Sequence, residues 1–400
     1  MKDRLVPKIR FGGFTESWTK RPLSETGKWR GGSTPSKADP AFWNGDIPWV
    51  SSGDVKELEL VQTTYSITKD ALEQTGVPLL PKDALILVTR SGILRKYLPV
   101  AILSREMAVN QDIKAVVTNG KADARFLLNV LINQEADIRR TCGKEGTTVE
   151  SVDYPSMLKY EVALPTLPEQ QKIVAFLGAV DRKIQQLKRK QALLEQYKKG
   201  VVQQLFSQEL RFKREDGGEF PEWEEKRLGD MADVIMGQSP DSSSYNATGE
   251  GLPLIQGNAD IAGRVTSPRQ WTSQPTKTCI VRDIILSVRA PVGAVARSAH
   301  AACIGRGVCS IRAKRSIDAE YLYQLMIDFE PKWKGIEQGS TFTAISGEDV
   351  RDLKFSFPSL EEQSRIAGFL MALDAKVAGV AQAVAACQKW KKGLLQQMFV

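Results

Sequence analysis

Residues able to do covalent or metal chemistry are scarce in this chain. One histidine, His300, stands among 400 residues, so a Ser-His-Asp triad, a His-based zinc site or phosphohistidine chemistry would hang on one side chain. The five cysteines, Cys142, Cys279, Cys303, Cys309 and Cys387, are odd in number and form no Cys-x-x-Cys. They read as reduced thiols, not as a zinc ribbon or a disulfide framework. The chain has no Gly-x-x-x-x-Gly-Lys-Ser/Thr phosphate loop, and no Asn-Pro-Pro-aromatic or Asp-Pro-Pro-aromatic motif of amino-methyltransferases. A nuclease-like set can be drawn from Asp83 and Asp112-Ile113-Lys114. Such patterns are common by chance, and Arg306-Gly307-Val308-Cys309 breaks it in the second half of the chain. The expectation is a non-catalytic chain without a metal site.

What remains is a set of residues suited to binding. Arg90 and Arg289 each follow a predicted strand and enter a Gly- or Pro-containing turn, with Ser91, Arg95 and Lys96 near the first and Arg297 near the second. Guanidinium groups bond phosphate, or read guanine O6 and N7 bidentately, so turns that present Arg are credible DNA contacts. Polar clusters add donors and acceptors: Ser51, Ser52 and Asp54 against Gln256 and Asn258, and Thr147 and Thr148 against Gln338, Ser340 and Thr341. For any one of these alone, a solvated surface role is the commoner reading. Their pairing between the halves of the chain, with unlike side chains at matched places, suits two modules that recognise different sequences.

The elements that must hold these residues are written twice. Residues 165–206 align without a gap on residues 358–399 at an offset of 193, with 17 of 42 positions identical, where average usage gives roughly two or three by chance. Upstream, Phe14 to Glu25 echoes Phe220 to Asp230, Gly32-Ser33-Thr34-Pro35 echoes Gly237-Gln238-Ser239-Pro240, and the Arg90 turn faces the Arg289 turn. Ile9-Arg10-Phe11 opens the first copy, and Leu210-Arg211-Phe212 opens the second just after the first repeated segment. The pattern predicts a pseudo-twofold, nearly circular layout with close termini.

The repeated segment predicts a long helix. Ile173, Val180, Leu187, Leu194 and Val201 recur every seven residues, interleaved by Leu177, Ile184, Gln191 and Lys198; Ile366, Leu373, Val380, Cys387 and Leu394 repeat the pattern in copy two. Heptads sustained this long predict coiled-coil packing, and the obvious partner of each helix is the other, antiparallel. Gly200 and Gly393 interrupt both helices inside Lys-Lys-Gly-x-x-Gln-Gln-x-Phe, at about 1 kcal/mol each relative to Ala. A close helix contact or a partner protein would explain them, so Lys198, Lys199, Gly200, Lys391, Lys392 and Gly393 are candidate partner-binding residues. The remainder reads as α+β: two α/β recognition domains, residues 1–160 and 209–355, joined by helical spacers at 161–208 and 356–400. A net charge of +8 is compatible with a polyanionic partner but thinly spread. No stretch reaches the roughly 18 uncharged apolar residues of a membrane span, and the N-terminus lacks a signal-peptide core. The expectation is a cytoplasmic chain with no membrane partner.

The Pro165-x-Leu167-Pro168-Glu169-Gln170-Gln171-Lys172-Ile173 motif and its echo from Pro358 to Ile366, with the Phe14 and Phe220 entries, the Gly-x-Thr/Ser-Pro pair and Gln338-Gly339-Ser340-Thr341, closely resemble the DNA specificity subunit of type I restriction-modification systems. The resemblance covers essentially the whole chain. It implies two target recognition domains, each reading one half of a bipartite asymmetric site in double-stranded DNA, with two antiparallel helices as the spacer. It further implies docking of two modification (methyltransferase) subunits and of restriction (translocase/endonuclease) subunits. Those partners would use S-adenosylmethionine, ATP and Mg2+, with no cofactor bound by this chain itself. The other reading of the sequence is a non-catalytic coiled-coil scaffold whose globular domains bind protein.

Overall fold

The computed structural model describes residues 5–144, 149–338 and 344–400, with the backbone only for 334–338. Candidates Thr147, Thr148, Ser340 and Thr341, and the side chain of Gln338, therefore lie outside the described residues. Two compact units divide the chain, one made of Met1–Leu187 with Gln382–Val400, the other of Lys188–Ala381. The long helices are not units of their own; each unit takes a part of both.

Within unit 1, a five-stranded sheet runs Gly27–Gly31, Ile113–Thr118, Leu85–Val88, Val100–Leu103, Glu59–Leu60, and a four-stranded sheet runs Tyr65–Ile67, Trp43–Val50, Met107–Val109, Leu79–Leu80. Unit 2 repeats the order strand for strand. Its first sheet runs Ala232–Met236, Val308–Ala313, Ile284–Ser287, Val295–Arg297, Val265–Thr266, and its second contains Gln270–Thr272, Leu252–Ile255, Ala302–Ile304, Thr278–Cys279, each with one further edge strand. The uninterrupted apolar run Leu85–Val88 is explained by burial on both faces, since alternate residues of a strand point opposite ways. Leu85 and Leu87 pack with Phe126, Leu127 and Leu131 of the helix Ala124–Asn133, while Ile86 and Val88 pack with Val50, Met107 and Val109. In unit 2, Ile284 and Leu286 meet Tyr321, Leu322 and Met326, and Ile285 meets Ile255 and Ile304.

The repeated motifs act as ties within each unit. Glu169, in the first turn of the central helix (Leu167–Phe206), is buried and accepts Arg10 Nε and Nη2, both at 2.7 Å, and Trp18 Nε1 at 3.4 Å. Glu362, in the first turn of the C-terminal helix (Leu360–Met398), accepts Arg211 Nε at 3.2 Å, Arg211 Nη2 at 3.0 Å and Trp223 Nε1 at 3.1 Å. The neighbouring Gln170 accepts the backbone N–H of Asp123, and Gln363 that of Asp318. Asp123 and Asp318 are in turn the N-caps of the helices at Ala124–Asn133 and Ala319–Gln338. Each Glu-Gln pair thus joins the entry segment, a long helix and the helix behind the sheet, with every buried polar atom bonded. Entry also closes alike: Ile9 N–H donates to Gln397 O at 2.9 Å in unit 1, and Leu210 N–H to Gln204 O at 3.0 Å in unit 2.

The heptad stripe is real. From Ile173 to Val201 and from Ile366 to Leu394 no a or d residue is exposed. In unit 1 the start of the central helix packs on the end of the C-terminal helix, with Ile173, Leu177, Val180 and Ile184 in one cluster with Leu394, Leu395 and Met398. In unit 2 the roles exchange, Val201 and Leu205 clustering with Ile366, Leu370 and Leu373; start against end is the arrangement of an antiparallel pair. Lys391 pairs with Asp181 at 2.7 Å in unit 1 and Lys198 with Asp374 at 2.5 Å in unit 2. A helix contact does not explain the glycines, because a Cβ on Gly200 or Gly393 would meet nothing within 4 Å. The C-terminal helix also holds an 18-residue window of mean hydropathy 1.5, long and apolar enough to cross a membrane by length and composition, although it carries Asp374 and Lys376 midway.

Candidate nucleic-acid interface

In unit 2 the topology gathers three loops at one sheet edge. Strands Leu252–Ile255 and Ala302–Ile304 are parallel neighbours, with Leu254 opposite Cys303 and Ile255 opposite Ile304. Their following residues, Gln256–Asn258 and Gly305–Gly307, therefore emerge side by side. Gly305 N–H donates to Ile255 O and Val288 N–H to Gly307 O, which brings in the Arg289 turn. A Cβ on Gly307 would stand 2.1 Å from Gln256 O, so only glycine allows this approach. The result is a cleft of about 210 Å³ lined by Ser239, Gln256, Gly257, Asn258, Arg289, Ala290, Arg306 and Gly307.

The cleft offers unspent hydrogen-bonding capacity. Arg289 and Arg306 are exposed and, among the described residues, neither guanidinium has an acidic partner. The loop beneath is fixed by the buried Asp260, which accepts Gln256 N–H at 2.8 Å and Arg269 Nε at 3.0 Å. Ser239 Oγ accepts the N–H of Arg306 at 3.1 Å, and Gly237, where a Cβ would lie 2.1 Å from Gly305 O, lets its strand come close. Two free guanidinium groups beside two amide-bearing residues suit phosphates and base edges.

Unit 1 has the same frame with different groups. Asn110 N–H donates to Val50 O, and Thr89 N–H to Asp112 O. These bonds match those of Gly305 and Val288, and they set Gln111 where unit 2 has Arg306. Thr34 Oγ1 bonds Gln111 Oε1 where Ser239 holds the Arg306 backbone, and Gly32, like Gly237, sits against backbone that a Cβ would strike. Arg90 is exposed and bridges Ser151 as Arg289 bridges Ala344.

Of the other candidates, Ser52 is half-buried and Lys96 exposed, and Ser91 caps the 3-10 turn Gly92–Arg95 by accepting Ile93 N–H at 3.4 Å. Arg95 pairs with Glu150 at 2.5 Å. Asp54 is a loop organiser: its carboxylate accepts Ser51 N–H and Oγ–H, at 2.8 and 2.7 Å, and Thr64 N–H and Oγ1–H, at 3.1 and 2.5 Å. Partial burial pushes its pKa up, but the bonds from Thr64 and Ser51 outweigh this and hold it below the usual carboxylate range.

Two expectations need correction. Arg297 is opposite Ile284 at the start of the strand whose far end leads to Arg289, so about five residues, roughly 17 Å of strand, separate the two. Its guanidinium pairs with Glu320 at 2.5 Å and lies 4.0 Å from the Tyr323 ring centre, which makes it an internal fastening. Lys198 and Lys391 are spent on the helix-pair ion bridges given above, whereas Lys199 and Lys392 are exposed. Gly393 lines an apolar groove of about 450 Å³ with Ile9, Ala386, Trp390 and Leu394, flanked by Lys389 and Gln397. Asp83 and Asp112 do not converge: Val88 opposes Ile113 and Leu85 opposes Val116, which puts the two acids at opposite ends of paired strands. Among the described residues no group of three or more His, Cys, Asp and Glu could hold a metal ion.

Over residues 15–196 and 221–382 the chain matches the family model of the type I restriction modification DNA specificity domain. It is 34% identical over 263 residues to the MjaX type I restriction enzyme specificity subunit of Methanocaldococcus jannaschii, covering 64% of this chain and 62% of that protein. It is 35% identical over 162 residues to the EcoR124I/EcoR124II specificity subunit of Escherichia coli, covering 40% of each. These matches span less than two thirds of either curated relative. Among solved structures, a chain from work on complex assembly and conformational transition of the type I R-M system superposes with a TM-score of 0.65 at 25% identity, covering 96% of this chain and 98% of that one.

Proposed function

Because the chain belongs to the type I restriction modification DNA specificity family, we propose that it is the DNA-reading subunit of a type I restriction-modification enzyme, with one recognition domain for each half of a bipartite asymmetric site. The observation that supports this best is the matched frame with unlike groups. Ser239, Gln256, Asn258, Arg289 and Arg306 line the cleft of unit 2, while Thr34, Ser52, Arg90 and Gln111 occupy the corresponding loops of unit 1. A conserved frame fixes where the DNA backbone is met, and the variable side chains choose the bases.

In this reading the chain does no chemistry. Two modification subunits dock on it and bring S-adenosylmethionine and base methylation, and restriction subunits bring ATP, Mg2+ and cleavage. The adenine to be methylated leaves the helix in the partner, which the recognition domains only position. The groove beside Gly393, with Trp390 53% exposed and the exposed Lys392 nearby, is a fitting place for such a partner. Exchanging residues 14–160 for those of another family member is expected to change one half-site and leave the other. Methylome sequencing of a host carrying the hybrid reads the outcome directly, and a change in both halves refutes one-domain-per-half-site reading.

A further inference from the structure

Unit 1 holds a second concave site that none of the repeated motifs accounts for. It is a cavity of about 330 Å³ lined by Lys37, Trp43, Asn44, Trp49 and Tyr65, at the lower end of small-ligand pockets. The three rings stand edge to face: Trp43 and Trp49 have centroids 5.2 Å apart, Trp43 and Tyr65 6.2 Å, Trp49 and Tyr65 6.3 Å. Both indole N–H groups are already spent on the Gly32–Ser36 loop, Trp49 donating to Ser33 O and Trp43 to Ser36 O, each at 3.0 Å. The indoles are thereby fixed in place, and what they can still offer a ligand is ring surface.

The internal repeat shows that the same strand frame forms without the Trp49–Tyr65 ring pair. Trp49 opposes Tyr65 across the strand pair Trp43–Val50 and Tyr65–Ile67. The matching pair in unit 2, Leu252–Ile255 with Gln270–Thr272, puts Leu254 opposite Gln270. One frame therefore carries an aromatic pair in one domain and an aliphatic-amide pair in the other. Tyr65 is nonetheless 53% exposed, a large ring left facing solvent beside the Ser51–Asp54 loop that holds Thr64.

The lining decides the ligand class. Aromatic faces favour a flat π system or a cation, but the lining contains no carboxylate and does contain Lys37, which among the described residues has no acidic partner. A cation is therefore disfavoured. A flat ring with an attached anion satisfies all three components: faces for stacking, the Asn44 amide for an edge, and an ammonium for a phosphate. We propose that this pocket receives a single unstacked nucleobase of the bound DNA, stacked on Tyr65 and Trp43 with Lys37 on its phosphate. The inference rests on the DNA-reading function proposed above and adds to it a second base, distinct from the adenine that enters the partner, held outside the duplex at the half-site of unit 1.

The test uses the full chain and fluorescein-labelled single-stranded dT12 and dA12, followed by anisotropy at two salt concentrations, with binding of genomic duplex fragments measured in parallel. Tyr65→Ala and Trp43→Ala are expected to weaken single-strand binding at least about fivefold, Tyr65→Phe to retain it, and Lys37→Ala to reduce the salt slope by about 0.7. Gln270→Ala, at the matched place in unit 2, should leave it unchanged. Thermal melts establish that each variant is folded, and Tyr65→Leu, which keeps the bulk and removes the aromatic face, carries the test if an alanine variant is not, with the same weakening expected. Duplex binding intact with single-strand binding insensitive to Tyr65 and Trp43 overturns the pocket proposal while leaving the DNA-reading function standing. Loss of both forms of binding in the unmodified chain overturns the function itself.

Discussion

A buried carboxylate bonded bidentately to a guanidinium is costly to separate, because the residue left behind keeps its charge without its solvent. Glu169 is in that state, with its side chain 1% exposed against Arg10 at 12%. Glu169→Ala is expected to destabilise the chain by about 3–5 kcal/mol, through the stranded Arg10 and the lost Trp18 bond, as measured by urea denaturation; an unchanged midpoint would show the tie to be dispensable. Arg289 and Arg306 are the opposite case, two exposed guanidinium groups without an acidic partner among the described residues. Alanine at both should lower the slope of log K against log salt by about two, since each phosphate contact contributes roughly 0.9. Filter binding at several salt concentrations measures it, and an unaltered slope with one relaxed position in the target would move them from backbone to base reading. Arg289 was legible in the sequence because it follows an apolar run. Arg306 was not, because a Gly-flanked arginine reads as a loop residue until the parallel strand pair sets it beside Gln256.

At the scale of elements, periodicity carried the information. The heptads from Ile173 and Ile366 predict helices, and the structure has them at Leu167–Phe206 and Leu360–Met398. The strands predicted before Arg90 and Arg289 are equally plain, and the structure has them at Leu85–Val88 and Ile284–Ser287. What periodicity does not contain is which end of a strand faces which loop. Arg297 was grouped with Arg289 because eight residues separate them in sequence, and antiparallel register carries it to the other end of the sheet. The first lysine of each Lys-Lys-Gly motif is hidden from the sequence for a related reason: Lys198 finds Asp374 and Lys391 finds Asp181 only after the helices pair. Under the proposed spacer role, inserting four residues near Lys190 adds about 6 Å of helix, close to two base-pair steps. The expected result is a longer unspecified spacer between unchanged half-sites, read by methylome sequencing. An unaltered spacer would remove the helices from that role. The insertion is a stutter in the heptad, so some local unwinding of the seam goes with it.

At the scale of the whole molecule, the duplication is deeper than residue identity. The strand orders agree sheet by sheet and the Glu-Gln ties agree bond by bond, while the cleft lining and the aromatic pocket carry unlike side chains. Charge diverges too, with residues 165–206 carrying a net +5 and residues 358–399 a net +2. One equivalence bears on the gene and not on the surface. Leu210 and Gln204 are close in the chain, whereas Ile9 and Gln397 are at its two ends, yet each pair makes the same backbone hydrogen bond, at 3.0 and 2.9 Å. The same backbone contact is thus made once with a covalent connection nearby in the chain and once without one, which makes the covalent connection a testable variable of the fold. A circular permutant opened near Ser207 and joined from Val400 to Leu5 by a short linker should melt at the temperature of the parent and bind the same DNA, whereas one opened within the Glu169 or Glu362 tie should do neither.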